Sequence, residues 1–268
     1  MESAPVAETA ARLAALDDYA GFSVRPGDGW VALATAEADG RLDHWLELLI
    51  AEHGGRNVAG STLGSVLAAA VVGPTVGSLL LDRRCPDPAL SNLTALPAGN
   101  GEFDARGVRT GVIAVLTGDP AAAHPDSVAL PDEDALDDWW ASRAAATLTP
   151  LFQAVRTRAP FGLRNLWGLA ADDVTATALW LAELAGRDQQ AAWSRAQRLL
   201  DALARHVPVR FPRSRQFPVG DRLHQVRGTC CLYYRSTAEP GPPAENRCDT
   251  CPLRDDDSRR TRLLAYGP

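Results

Sequence analysis

Cysteine is scarce in this 268-residue chain, lysine is absent, and no basic-then-apolar segment opens it. Five cysteines is an odd count, and 46% hydrophobic residues can bury one large core or two modest ones unaided, so a disulfide framework is not what folds the chain. The acidic opening "MESAPVAETAARLAALDDY" reads as a helix rather than a secretory leader, and a reducing cytoplasm is the expected compartment. All 27 basic residues are arginine, a compositional bias and not a mechanism. Also missing are a Gly-rich dinucleotide loop in a βαβ setting, a P-loop and a nucleophile elbow, so electrons would have to come from another molecule.

What is present begins with charge. The net charge of −6 conceals an asymmetry: residues 208–268 hold 11 arginines against seven acids, while residues 1–207 hold 16 against 26. The basic end lacks the interleaved aromatics of a stacking platform, so no nucleic-acid partner is expected; an anionic protein or small ligand suits it better. Ser61 to Leu81, "STLGSVLAAAVVGPTVGSLLL", runs 21 residues without a charge, long enough to span a bilayer. Gly64, Gly73, Pro74 and Gly77 interrupt it, and amphipathic helices surround it. It reads as a buried core helix, bent or broken near Gly73-Pro74, in a chain that is not membrane-spanning.

Periodicity predicts an α+β fold, predominantly helical, with a small antiparallel sheet and an irregular C-terminal module. Asp43 to Glu52 places Trp45, Leu48 and Leu49 on one helical face before Gly54-Gly55. Asn100-Gly101 signals a hairpin, followed by a Val/Ile run from Val108 to Leu116. Leu136, Trp140, Leu148, Leu151 and Val155 form a helical stripe that Pro150 is expected to kink or divide, and Asp172-Asp173 reads as the start of another helix running to Gly186. Trp193, Ala196, Leu200, Leu203 and Val207 make a third stripe. From there the chain lapses into a Pro- and Arg-rich connector, a cysteine loop and a short polar tail. The division is therefore a body at 1–207 and a cysteine module at 208–268.

Four of the five cysteines fall in "GTCCLYYRSTAEPGPPAENRCDTCP", as the adjacent pair Cys230 and Cys231 and the C-x2-C pair Cys248 and Cys251. Two metal–sulfur bonds of about 2.3 Å at a tetrahedral angle hold their sulfurs about 3.7 Å apart. Neighbouring Cα atoms are about 3.8 Å apart, so adjacent cysteines can serve one metal site. Three chemistries compete. Structural zinc usually draws on two spaced C-x2-4-C arms, and here one arm has no spacer. A dithiol redox pair at Cys248-Cys251 lacks the strand-then-helix setting that activates a thiol. A 2Fe-2S cluster accepts both arms, and Pro252 echoes the Cys-Pro ending of iron-sulfur loops. Cys85 is left over as an unligated thiol, and His224, six residues before Cys230, reads as a surface histidine.

"GTCCLYYR" followed by "CDTCP" near the end of a mainly helical chain resembles the FhuF-like ferric-siderophore reductases, whose C-terminal Cys-Cys-x10-Cys-x2-Cys signature binds a 2Fe-2S cluster. The likeness extends to "LRNLWGLAADD", Leu163 to Asp173, and to the helix, hairpin, helix order of the body. The spacing departs from the family: sixteen residues separate Cys231 from Cys248 where ten are usual, and the extra length is the Pro/Gly/Glu-rich "STAEPGPPAEN". Lengthening such a loop costs little closure entropy, under about 0.6 kcal/mol for a doubling.

The resemblance implies a cluster on Cys230, Cys231, Cys248 and Cys251 that reduces the iron of a ferric siderophore from Fe(III) to Fe(II). It also implies an external donor such as a ferredoxin, for which a basic module is suited. Arg210, Arg213, Arg215, Arg222, Arg227 and Arg235 surround the cysteine arms in sequence and could meet an anionic chelate. Trp167, Tyr233 and Tyr234 could offer it an aromatic surface. Two other functions stay open: a zinc-stapled scaffold, and a 2Fe-2S sensor or electron relay.

Overall fold

The computed structural model describes residues 4–238 and 241–265. The helices in chain order are α1 (Pro5–Ala14), α2 (Arg41–His53), α3 (Arg56–Asp82), α4 (Glu133–Arg158), α5 (Leu163–Leu184), α6 (Gln189–His206) and α7 (Asp256–Ala265). The strands are β1 (Ser23–Val24), β2 (Val31–Ala32), β3 (Cys85–Pro86), β4 (Leu93–Pro97), β5 (Phe103–Val108), β6 (Ile113–Leu116), β7 (Ser127–Leu130), β8 (Arg215–Val219) and β9 (Arg222–Val226). The fold is α+β and predominantly helical, as the periodicity predicts.

α3 is the central element, packed by α1, α2, α4 and α5. It is the one helix among the described residues apolar and long enough to cross a membrane, and 72% of its most apolar window is buried inside the protein. Its glycines set the packing distance: Gly60 faces Ala159, and Gly64 faces Leu166, at approaches that leave no room for a Cβ. The helix runs unbroken through Pro74; the hydroxyls of Thr75 and Ser78 donate back to the carbonyls of Val71 and Pro74, each at 2.6 Å. Trp140 of α4 donates its indole N–H to Thr75 at 3.0 Å, so the largest buried side chain there is also satisfied.

α4 likewise continues past Pro150 instead of dividing. Buried residues lie on both sides of the proline, from Leu136 to Val155, and tertiary packing outweighs one lost helix hydrogen bond. Burying a Leu, Phe or Val side chain is worth roughly 1.5–3 kcal/mol, against about 3 kcal/mol or more for the interior proline.

The hairpin signal at Asn100-Gly101 is the turn between β4 and β5, closed by Ala98 N–H donating to Glu102 O at 2.8 Å, with Gly101 at φ 92°. β1, β5, β4 and β2 form one sheet, and β3, β6 and β7 another. The β1–β5 and β6–β7 pairs are parallel, so the sheets are only mostly antiparallel. The Val108 to Leu116 run is two strands in different sheets, not one.

The C-terminal region is more regular than its composition suggests. The Pro- and Arg-rich connector contains the antiparallel β8–β9 hairpin, turned at Gly220 with φ 61°, and the polar tail contains α7. Phe217, Val219 and Val226 form a small core of their own against Leu263.

Candidate functional site

α5 begins at Leu163 behind Gly162, so Asp172 and Asp173 stand in its middle and not at its start. A helix interior gives a carboxylate no dipole reward, and here another partner supplies one. Asp172 Oδ1 accepts from Gly228 N–H at 2.7 Å and from the Ser214 hydroxyl at 2.7 Å; Oδ2 accepts from Thr229 N–H at 2.9 Å. Asp172 thus clamps the backbone immediately before Cys230-Cys231. It is 3% exposed, and burial pushes its pKa up to about 6 although these three donors and the charge of Arg227 pull the other way. Gly168, one turn earlier on α5, allows the approach, since a Cβ there would collide with the Thr229 hydroxyl.

After the adjacent cysteines, Leu232 adopts φ 62°, a left-handed conformation unusual for a branched residue. The bend turns Leu232 N–H back onto Cys230 Sγ at 3.4 Å and starts the single 3₁₀ turn Tyr233–Arg235. The second arm is held from α7. Arg259, 0% exposed, donates to the carbonyls of Cys251 at 3.0 Å, Arg254 at 2.7 Å and Asp249 at 3.1 Å. Glu239 and Pro240 of the intervening loop lie outside the described residues.

The two arms bring the four thiols together. Cys230 Sγ lies 3.9 Å from Cys251 Sγ, close to the separation of two sulfurs on one metal. Cys231 shares a hydrogen bond with Cys248, and Cys248 also contacts Cys251. The Cys251 contact and the Leu232 N–H bring Cys230 down to about 7 against the opposing effect of burial. Sharing with Cys248, and then burial, pushes Cys231 up; Cys251 is raised chiefly by Cys230.

Arg227, at the end of β9, donates from one Nη2 to Cys231 Sγ at 3.2 Å and to Cys248 Sγ at 2.6 Å, one sulfur from each arm. Burial works against its charge, but the two sulfurs more than compensate and hold its pKa above the ordinary arginine value. Its Nε and the Thr229 hydroxyl are buried without a partner.

Among the described residues no group of three or more His, Cys, Asp or Glu is gathered closely enough to hold a metal ion. The described contacts instead emphasise pairs, Cys230 with Cys251 and Cys231 with Cys248. Two thiols for each of two irons is the donor pattern of a binuclear sulfur cluster, and a buried cation suits the negative charge of such a group. The residues present fit that group.

A cleft of about 490 Å³ lies among α3, α5, β5, β9 and the second cysteine arm, and none of the four cysteines lines it. Its walls include Arg227 and Thr250, Asp172 and Asp173 of α5, Arg106 of β5, and Tyr19. Arg106 lies over the Tyr19 ring at 4.4 Å and donates to the Tyr19 hydroxyl. Burial raises Asp173 to about 6 against the pull of Arg106.

Of the sequence-named substrate candidates, only Arg227 lines this cleft. Arg213 is tied to Asp201 at 2.7 Å and Arg215 to Asp256 at 2.6 Å. Arg222 pairs with Glu183, and Arg235 donates to the Tyr234 hydroxyl at 2.9 Å. Trp167 is 1% exposed and packs edge-on against Phe152 at 5.0 Å, which removes it from any ligand surface. Tyr233 is 37% exposed beside His53, and Tyr234 lies beneath Arg235 and Arg247, both on the cysteine loop rather than in the cleft. Cys85 is buried in β3, donating to Pro86 O at 3.4 Å, and His224 is part-buried on β9.

Sequence reasoning missed Tyr19, Arg106 and Thr250 as cleft residues. It quoted Asp172 and Asp173 but read them as a helix start; two acids within an apolar segment were the usable signal. No protein-family model matches this chain, and no curated protein matches it.

Proposed function

We propose that this protein is a ferric-chelate reductase of the FhuF-like kind, using a 2Fe-2S cluster on Cys230, Cys231, Cys248 and Cys251. The observation that carries the reading is four paired thiols, two of them contacted by Arg227, a residue that also lines a cleft of small-molecule size. Bound there, the cluster would supply single electrons at low potential to a ferric ion in the cleft. The substrate is a ferric siderophore: hard oxygen ligands hold Fe(III) firmly and Fe(II) poorly, so one electron releases the iron.

The chain's own residues orient and bind. Asp172 holds the first cysteine arm and Arg259 the second, which keeps the sulfurs in register while charge changes. Arg227 offsets negative charge at Cys231 and Cys248. Arg106, Asp173 and Thr250 offer donors and acceptors to the chelate. With no nucleotide-binding loop in the sequence, the electron comes from an external one-electron donor such as a ferredoxin, whose acidic surface suits the basic residues of 208–268.

The test uses anaerobically purified full-length protein. It is expected to be coloured, to carry two irons, and to give a 2Fe-2S EPR signal on dithionite reduction. After removal of excess dithionite, a ferric trihydroxamate should reoxidise it, with ferrous iron trapped by a chromogenic chelator. Colourless protein with one zinc per chain would instead establish the scaffold reading, and a cluster that ignores the ferric chelate would favour a sensor or relay.

A further inference from the structure

Arg227 belongs to two environments at once. Its backbone N–H donates to Thr250 O at 2.9 Å, which pins the end of β9 to the turn between Cys248 and Cys251. One Nη2 contacts Cys231 and Cys248, while Arg227 is also, with Thr250, among the residues that line the cleft. Its Nε is buried and lacks a partner, so the fork is not saturated. A guanidinium has five N–H donors in a rigid plane but a single charge to divide among their acceptors.

We propose that Arg227 couples substrate docking to electron delivery: chelate oxygens accepting from it in the cleft share its charge with the sulfurs and lower the reduction potential of the group they hold. This rests on the reductase reading. With the cleft empty, the full cation beside Cys231 and Cys248 favours the extra negative charge of the reduced state, because hydrogen bonds to sulfur and net local charge set such potentials. Oxygen ligands of a ferric chelate carry negative charge even when the complex is neutral overall. Placed across the guanidinium in a part-buried site, that charge is poorly screened and offsets the cation. The electron is then held when no acceptor is present and released more readily once one is docked. Reciprocity requires the chelate to bind the oxidised protein more tightly than the reduced protein by the same factor.

The probe is the gallium(III) complex of a linear trihydroxamate, which has the charge of its iron counterpart but takes no electron. Calorimetry measures its binding to the cluster-loaded full-length protein, and potentiometric titration is run with and without saturating probe. Wild type should shift to lower potential, with about tenfold tighter binding to the oxidised form, equivalent to about 59 mV for one electron. Arg227→Gln should lower the probe-free potential and abolish the shift. Arg227→Lys, which keeps the charge without the fork, should retain a smaller shift; it and the wild-type comparison decide the matter if the glutamine variant does not load iron. Binding without a shift in wild type overturns the coupling and leaves the reductase reading standing, as does an undiminished shift in Arg227→Gln. No binding, together with reduced protein that a ferric trihydroxamate fails to reoxidise, overturns both.

Discussion

Asp172 is a carboxylate in the middle of a helix, 3% exposed, accepting from two backbone N–H groups and a hydroxyl. Burial outweighs those donors and lifts its pKa from 3.8 to about 6. A folded-state pKa raised above the unfolded one means the folded form favours the proton. The associated stability is fully present below pH 3.8 and is lost as pH rises through about 6, on the order of 3 kcal/mol in all. Asp172→Asn removes this site's ionisation but sets an amide N–H₂ against Thr229 N–H. Melting temperatures measured across that window should therefore fall less steeply with pH than in wild type and, on the reductase reading, the iron content should drop as the Cys230-Cys231 loop loosens. An unchanged pH slope would show that Asp172 ionises as freely in the fold as out of it. The residue was visible in the sequence as part of "LAADD", but its role was not, because its partners lie 42 to 57 positions away.

At the scale of elements, the decisive contact is α5 against the segments that flank β8 and β9. Gly168 brings the α5 backbone so close to Thr229 and Pro212 that a Cβ would overlap the Thr229 hydroxyl and come within 3.0 Å of Pro212 Cδ. Gly168→Ala should cost about 1–3 kcal/mol through overpacking and, on the reductase reading, the displaced Thr229 should alter the visible spectrum of the cluster at the adjacent cysteines. Gly162→Ala is the control: nothing lies within 4 Å of its added Cβ and its φ of −73° suits alanine, so, apart from an N-cap cost of at most about 1 kcal/mol, stability and any metal-site spectrum should stay as in wild type. Equal losses in the two variants would mean that the contact with Thr229 does not govern the result. Amphipathic stripes such as Leu136, Trp140, Leu148, Leu151 and Val155 were legible because each helix reports its own buried face. The β8–β9 hairpin was not, because Pro218 interrupts its first strand, both strands are short, and its small core is completed by Leu263 from α7.

For the whole molecule, the organising feature is an apolar helix surrounded by protein. α3 has the length and hydropathy of a membrane span, yet Leu63, Leu67, Val71 and Val76 are buried against neighbouring elements. The intact protein should therefore extract without detergent and migrate as one monodisperse species in gel filtration. Recovery only from a detergent-solubilised membrane fraction would contradict the packing of α3.

The amino-acid sequence by itself determined the class of fold, the buried character of α3 and the thiol inventory. Local composition and the 3.6-residue period report directly on burial, and a C-x2-C arm beside an adjacent pair is compact enough to read along the chain. Tertiary structure alone decided that Asp172 and Arg259 hold the two arms, that Arg227 lies between sulfur and cleft, and that Trp167, Arg213 and Arg215 are occupied elsewhere. Those roles depend on which distant groups meet a side chain and how much water the meeting excludes. Burial and charge compensation of that kind arise from the packed molecule and leave no periodic trace in the order of residues.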